Sequence, residues 1–122
     1  MVKKIALEEH FMCPEFEDYW RPTVGDVDPA IYQRVVGRLS DFGDQRLEAM
    51  DRTGIARAVL SLAGPGVQAE RDTATAIRVA RVGNDILARE VQKRPDRYSG
   101  FAHLAMQDAN VMFLFVRIAP AQ

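Results

Sequence analysis

The chain has 122 residues, of which 48% are apolar, and a formal net charge of −1. This is enough apolar sequence for one modest domain, and the near-neutral charge argues against a nucleic-acid or anionic-membrane partner, which usually requires a basic excess. The single cysteine, Cys13, excludes an internal disulfide framework and fits a reducing compartment. No stretch has the length and hydropathy of a signal peptide or a membrane span, so we expect a cytoplasmic protein without a membrane partner.

A short apolar run near the start of the chain ends in two carboxylates and an imidazole. Residues 4–9 are predicted to form a buried strand. It ends with Glu8 and Glu9, and His10 follows directly. Because side chains alternate along a strand, Glu8 and His10 are expected on one face and Glu9 on the other. Carboxylate and imidazole groups are ligands of zinc and manganese. Glu8 and His10 are therefore a candidate metal site, with an ordinary solvated strand end as the alternative.

Residues 12–29 show neither helical nor strand periodicity and are predicted to form a loop. The loop carries three aromatic residues, Phe16, Tyr19 and Trp20. These rings either pin a surface loop to the core or lie near a ligand. Cys13 is expected to be a packed small residue rather than a nucleophile, because no neighbouring group would lower its pKa.

Helices and strands alternate in the remaining sequence. Helices are predicted at residues 30–39, at residues 44–53 before Gly54, and from Asp72 or Thr73 to Lys93. Strands are predicted at residues 56–62 and 98–104, an order typical of a parallel sheet with right-handed crossovers. After the second strand, Pro65 lies in a glycine-rich turn that would help to shape a binding-site mouth.

Short segments of this sequence resemble the aromatic-acid decarboxylases of the amidohydrolase superfamily, in particular the γ-resorcylate and 2,3-dihydroxybenzoate decarboxylases. The segments are residues 6–11 (ALEEHF), 46–47 (RL), 50–51 (MD), 54–55 (GI), 60–61 (LS), 65–68 (PGVQ), 84–85 (ND), 94–97 (RPDR) and 107–108 (QD). The resemblance runs from about Lys4 to Asp108. It implies an α/β fold, a partial (β/α)8 TIM barrel consisting of the first three parallel strands with their helices.

The resemblance also implies a function, the non-oxidative decarboxylation of hydroxylated benzoic acids. One divalent metal, zinc or manganese, would be held by Glu8 and His10 together with a histidine and an aspartate from later strands, without an organic cofactor. A carboxylic acid not assigned to any residue of this chain would protonate the ring carbon. Residues near the ring of the small aromatic acid would be Phe16, Tyr19, Trp20 and Pro65. With two ligands only, we expect this chain alone neither to bind metal tightly nor to decarboxylate.

Two polar residues in apolar surroundings have structural interpretations. Asn84 interrupts the apolar stripe of the third helix and is expected to hydrogen-bond a neighbouring loop. His103 stands where the resembled family places no metal ligand, so we expect a strand-end histidine satisfied by hydrogen bonds.

The resemblance divides the chain into residues 1–108, part of the barrel, and an apolar tail of residues 109–122. The tail could be a strand, a replacement helix or out-of-frame sequence joined to a truncated gene, and we favour the last. Two other functions stay open. We expect a homo-oligomer, and one of these functions is a non-catalytic remnant that oligomerises through its unclosed sheet edge and tail. The other is a metal-dependent hydrolase of the same superfamily, for which the sequence offers no water-activating base.

Overall fold

A computed structural model describes residues 3–108. Its elements are β1 (Lys4–Phe11), α1 (Pro14–Trp20), α2 (Pro29–Ser40), α3 (Asp44–Thr53), β2 (Ile55–Leu62), α4 (Thr73–Lys93) and β3 (Tyr98–Gly100), with short 3₁₀ turns at Arg21–Thr23 and Gly66–Ala69. The strands form one parallel sheet in the order β1-β2-β3. The predicted α/β class and three parallel strands are confirmed. The predicted tail, residues 109–122, lies outside the described residues.

Local signals at their ends explain three of the helices. Asp28 accepts hydrogen bonds from the first backbone N–H groups of α2, and Asp72 accepts one from the first turn of α4. Gly54 ends α3 in the left-handed conformation, with φ of 72°, which glycine adopts without steric cost. Each of these helices lies within one residue of its predicted bounds.

Two predicted elements are wrong. The segment predicted as a loop contains α1, which begins with Pro14 at a first-turn position and has only seven residues. Two turns are too short to show helical periodicity, although proline is well suited to the first turn. The third strand ends at Gly100 rather than at residue 104, because its pairing with β2 stops where Leu60 meets Gly100. Beyond that point the side chain of Asn84 binds the backbone of His103.

The core lies between one face of the sheet and the helices. Alternate residues of β2 are buried on this face, namely Ala58, Leu60 and Leu62. The helix α4 covers them with a stripe of small and branched residues, Ala76, Val79, Ala80 and Leu87. The prediction that β1 is a buried strand is wrong for its other side, which is open, with Ile5 62% and Leu7 68% exposed. Within residues 3–108, no helix is both long and apolar enough to cross a membrane.

Candidate functional site

The carboxyl end of β1 contains a β-bulge at Leu7 and Glu8. Ala6 pairs with Ala58 and Glu9 with Leu60, so β1 advances by three residues while β2 advances by two. Glu8 has φ of 57°, the positive value that non-glycine residues rarely adopt. The prediction that Glu8 and His10 share one face assumed that side chains alternate regularly along β1. The bulge interrupts this alternation at Glu8. Bulges are common beside active sites, where they re-aim a side chain.

The imidazole of His10 is held at one ring nitrogen. Its Nδ1 lies 3.2 Å from Oγ of Ser61, the residue beside it in the parallel register. When Nδ1 carries the proton and donates to Ser61, the lone pair of Nε2 is available to a ligand. This is the arrangement found for metal-binding histidines, whose second ring nitrogen is fixed by a hydrogen bond.

The backbone of the same residue is held by Arg46 of α3. Its Nη2 donates to the carbonyl oxygen of His10 at 2.8 Å and to that of Leu39 at 3.3 Å. Its Nε donates to the carbonyl oxygen of Asp41 at 2.8 Å. Burial lowers the pKa of Arg46, while the charges of nearby groups, among them Glu9, oppose that shift.

Glu8, Glu9 and His10 line a cleft of about 540 Å³ between β1 and the helices α2 and α3. The helices contribute Arg38, Leu39, Gln45, Arg46, Glu48, Ala49 and Arg52. Glu9, expected to be a plain surface charge, is half-buried in this cleft. The two candidate ligands thus share one concave surface at the carboxyl end of a parallel strand, the edge at which ligands bind in α/β barrels.

The groups present fit part of a metal site. Glu8 offers an exposed carboxylate, and His10 offers an exposed imidazole whose other nitrogen is engaged by Ser61. These donors suit manganese or zinc. Within the part of the chain that the structure describes, no group of three or more histidine, cysteine, aspartate or glutamate side chains could hold a metal ion. The assignment of Glu8 and His10 as ligands stays a prediction.

The aromatic residues of α1 make contacts within the described chain. Phe16 is 1% exposed and packs edge-on against His103, with ring centroids 5.8 Å apart. Tyr19 donates a 2.7 Å hydrogen bond to Glu70, and Trp20 packs against Tyr32. Tyr19 and Trp20 keep part of their surface exposed, whereas Phe16 does not. Their assignment to a substrate stays a prediction.

The turn after β2 is tied to the segment after β3. Pro65 is half-exposed at the start of this turn, next to Gly66 and Val67. The backbone N–H of Val67 donates to Nε2 of His103 at 3.0 Å. The side chain of Asn84 accepts from the N–H of His103 at 2.7 Å and donates to its carbonyl oxygen at 2.8 Å. His103 and Asn84 therefore have the structural roles that the sequence predicted.

Cys13 is buried at the start of α1. Burial, together with the neighbouring Glu15, raises the pKa of its thiol to about 12. Cys13 is 3% exposed within the core cluster, as predicted for a packing residue, and its raised pKa disfavours the nucleophilic thiolate at neutral pH.

Sequence comparison identifies relatives over most of the chain. No family model matches. The γ-resorcylate decarboxylases of a Rhizobium species and of Rhodococcus jostii are each 45% identical over 108 residues. The chain is homologous to the γ-resorcylate decarboxylases. The matched residues are 88% of this chain but 32% of each relative, so the chain spans about a third of their length.

Solved structures of such decarboxylases share the fold. A dihydroxybenzoic acid decarboxylase from a Polaromonas species, with bound manganese and the inhibitor 2-nitroresorcinol, superposes with a TM-score of 0.86 at 40% identity. A 2,6-dihydroxybenzoate decarboxylase in complex with 2,6-dihydroxybenzoate gives 0.86 at 41% identity. These matches cover 96% of this chain and 34% and 35% of the two structures.

A structure of lower sequence identity, also of an aromatic-acid decarboxylase, has the same fold over most of this chain. The 5-carboxyvanillate decarboxylase of Novosphingobium aromaticivorans, with manganese, has a TM-score of 0.73 at 34% identity. These structural neighbours are TIM-barrel decarboxylases, and the three strands described above correspond to about a third of such a barrel.

Sequence reasoning missed the two residues that hold His10. Ser61 and Arg46 both lie in segments that resemble the decarboxylases, but the sequence alone assigns neither of them a role. For Ser61 a signal exists, because it is the polar residue between buried Leu60 and Leu62 at the end of a strand. For Arg46 no local pattern predicts that its guanidinium reaches a strand end 36 residues away.

Proposed function

We propose that this chain supplies Glu8 and His10 as two ligands of a divalent metal in a decarboxylase that acts on hydroxylated benzoic acids. The observation that carries the proposal is the end of β1, where a strained Glu8 and an oriented His10 line one cleft. Strained backbone concentrates at functional sites. The homology with γ-resorcylate decarboxylases supplies the reaction class, and the manganese in two of the structural neighbours favours that metal over zinc.

When bound, such a metal would supply Lewis-acid chemistry for the carboxylate and ortho hydroxyl of the aromatic acid. The described residues provide the groups that would hold it. Glu8 contributes negative charge, and His10 contributes the Nε2 lone pair that its Ser61 contact leaves available. No organic cofactor is needed for this chemistry, and the group that protonates the ring is not assigned to this chain. We also infer that the protein is located in the cytoplasm. The one cysteine of the chain, Cys13, is a free thiol, which suits a reducing compartment.

For the aromatic ring of the substrate, we propose contacts with Tyr19, Trp20 and Pro65. Each of the three keeps part of its surface exposed. Phe16 was predicted to belong to the same set of substrate-binding residues. Its buried ring fills the space between α4 and His103, so it would support these residues from inside the core.

The first test is manganese binding to the purified chain. Two ligands make a weak site, so we expect Mn²⁺ to bind only when added in excess, and to broaden the nuclear magnetic resonance signals of the His10 ring. Glu8→Ala should abolish this broadening. Glu48→Ala is the matched control, because Glu48 lines the same cleft from α3. Equal broadening in the two variants would contradict the assignment of Glu8.

The second test is turnover. We expect the chain alone to release no carbon dioxide from 2,6-dihydroxybenzoate, with or without manganese, because the described residues offer no third ligand. Metal-dependent release by the purified chain, lost in His10→Ala, would show that the site is completed by groups not assigned above.

A second candidate function is assembly without catalysis. One observation favours it: the open side of the sheet leaves Ile5, Leu7 and Phe101 largely exposed. Molar mass by light scattering separates the candidates. A stable homo-oligomer that binds no manganese, and whose mass falls to that of one chain in Leu7→Lys, would favour the second.

A further inference from the structure

Arg46 binds backbone from three different segments of the chain. Besides the carbonyl oxygens of His10, Leu39 and Asp41, its Nη2 lies 3.4 Å from that of Arg38. The Arg38 and Leu39 carbonyls belong to the last turn of α2, where carbonyl groups have no partner within the helix. Side chains commonly bind the unpaired carbonyl groups at a helix end in this way. The contact with His10 is different, because it reaches the end of β1.

The direction of the strand explains why the His10 carbonyl is free for Arg46. The next carbonyl, that of Phe11, accepts the N–H of Ala63 at 2.9 Å, on the side of β2. Successive carbonyl groups of a strand point in opposite directions, so that of His10 points away from β2. β1 is an edge of the described sheet. Arg46 takes the place that a strand partner would have at this point.

The requirements at this position suit arginine rather than lysine. The planar guanidinium donates in two directions at once, through Nε to Asp41 and through Nη2 to His10. A lysine ammonium is a compact charge that could not hold both acceptors in this geometry.

We propose that Arg46 is a positioning residue for His10. By fixing the carbonyl group of His10 it keeps the imidazole beside Ser61, so that Nδ1 carries the proton and Nε2 faces the cleft. The ring and the backbone of one residue are then held from two elements, β2 and α3. The proposal rests on the proposed function, in which His10 is a metal ligand.

The test uses the full chain without metal and reads the tautomer of His10 from its ring nitrogen chemical shifts. The chain has two histidines, so the signals are assigned by comparison with His103→Gln. In the wild type we expect the form with the proton on Nδ1 to dominate. In Arg46→Lys the two forms should approach the mixture of a free imidazole. An unchanged tautomer in Arg46→Lys, or a mixture already in the wild type, would overturn the proposal.

Asp41→Asn is the matched control. Asp41 accepts the backbone N–H of Arg46 at 2.8 Å, so this variant loosens the start of α3 while leaving the guanidinium contact with His10. If Arg46 only stabilises the fold, the tautomer should change equally in both variants at equal loss of stability. If Arg46 positions His10, the tautomer changes in Arg46→Lys alone.

A measurement on the wild type decides the case in which Arg46→Lys does not fold. A through-hydrogen-bond coupling between Nη2 of Arg46 and the carbonyl carbon of His10 should be observed, and its absence would overturn the proposal. A manganese titration separates this result from the proposed function. We expect Arg46→Lys to weaken Mn²⁺ binding by about tenfold.

If Mn²⁺ leaves the signals of the His10 ring unchanged in the wild type, the assignment of His10 as a metal ligand fails. The measured tautomer of His10 in Arg46→Lys still decides whether Arg46 positions His10.

Discussion

The ends of β1 and β2 lie side by side in the sheet but differ in how their groups are satisfied. After β2, Val67 is buried, its N–H binds His103, and its carbonyl oxygen accepts from the side chain of Gln107. At the end of β1, Glu8 and His10 are exposed, and among residues 3–108 the ring of His10 forms one hydrogen bond, to Ser61. One end is closed by hydrogen bonds within the chain, and the other presents the two side chains that are proposed above as metal ligands. The first supports the fold, and the second is where chemistry is expected.

The backbone sharpens this contrast. Both ends contain a residue with positive φ, Gly66 at 56° and Glu8 at 57°. Glycine adopts such a conformation at no steric cost, but a glutamate does not. The closed end is therefore relaxed, whereas the open end stores strain in a residue assigned to the site.

The largest expected effect comes from filling the closed end. In Gly66→Ala the added Cβ would lie 2.5 Å from Nε2 of His103, in addition to the unfavourable φ. The ring cannot move cheaply, because Val67 and Phe16 hold it. We expect a loss of about 2–4 kcal/mol in the free energy of unfolding, measured by urea denaturation.

Gly25→Ala is the control for Gly66→Ala. Gly25 has φ of 60°, but a Cβ there meets no atom within 4 Å. Only the conformational cost remains, about 1 kcal/mol. Equal losses in the two variants would mean that His103 does not close the end of β2.

A smaller effect is expected from pH. Because Nε2 of His103 accepts a backbone N–H, the folded chain holds the neutral ring, and burial lowers its pKa below the ordinary 6.5. The unfolded chain takes up a proton more readily. The contribution of His103 is therefore complete above pH 6.5 and declines as the pH falls below it, towards the folded-state pKa. The free energy of unfolding should fall over this range, and His103→Gln should flatten the decline.

Other groups act in a different range. Hydrogen bonds from the Asp72 amide and the Tyr19 hydroxyl lower the pKa of Glu70, and bonds from Thr75 lower that of Asp72. Their contributions decline only below the ordinary values of 4.5 and 3.8. Profiles of the wild type and His103→Gln that run parallel between pH 7 and pH 5 would show that the ring is not held neutral.

Sequence predicts the parts of this molecule that local chemistry decides. Caps at Asp28 and Asp72 and the stop at Gly54 place three helices almost correctly, and the alternation of elements gives the parallel sheet. The helix α1 is not predicted, because two turns are too short to show a helical repeat of apolar residues. The bulge at Glu8 escapes because no local pattern favours positive φ at a glutamate. The roles of Ser61 and Arg46 come from contacts 51 and 36 residues apart along the chain, which a single sequence does not reveal.

The smallest expected effect tests the strain at the open end. At most positions glycine destabilises relative to alanine, but at Glu8 the order should invert. We expect Glu8→Gly to be more stable than Glu8→Ala by about 1 kcal/mol, because alanine keeps the cost of positive φ. Glu48 in α3 is the control, where glycine should be less stable than alanine by about 1 kcal/mol. The same order at both positions would mean that Glu8 relaxes in solution. The open end would then hold no strain, and the bulge would be no reason to place a ligand there.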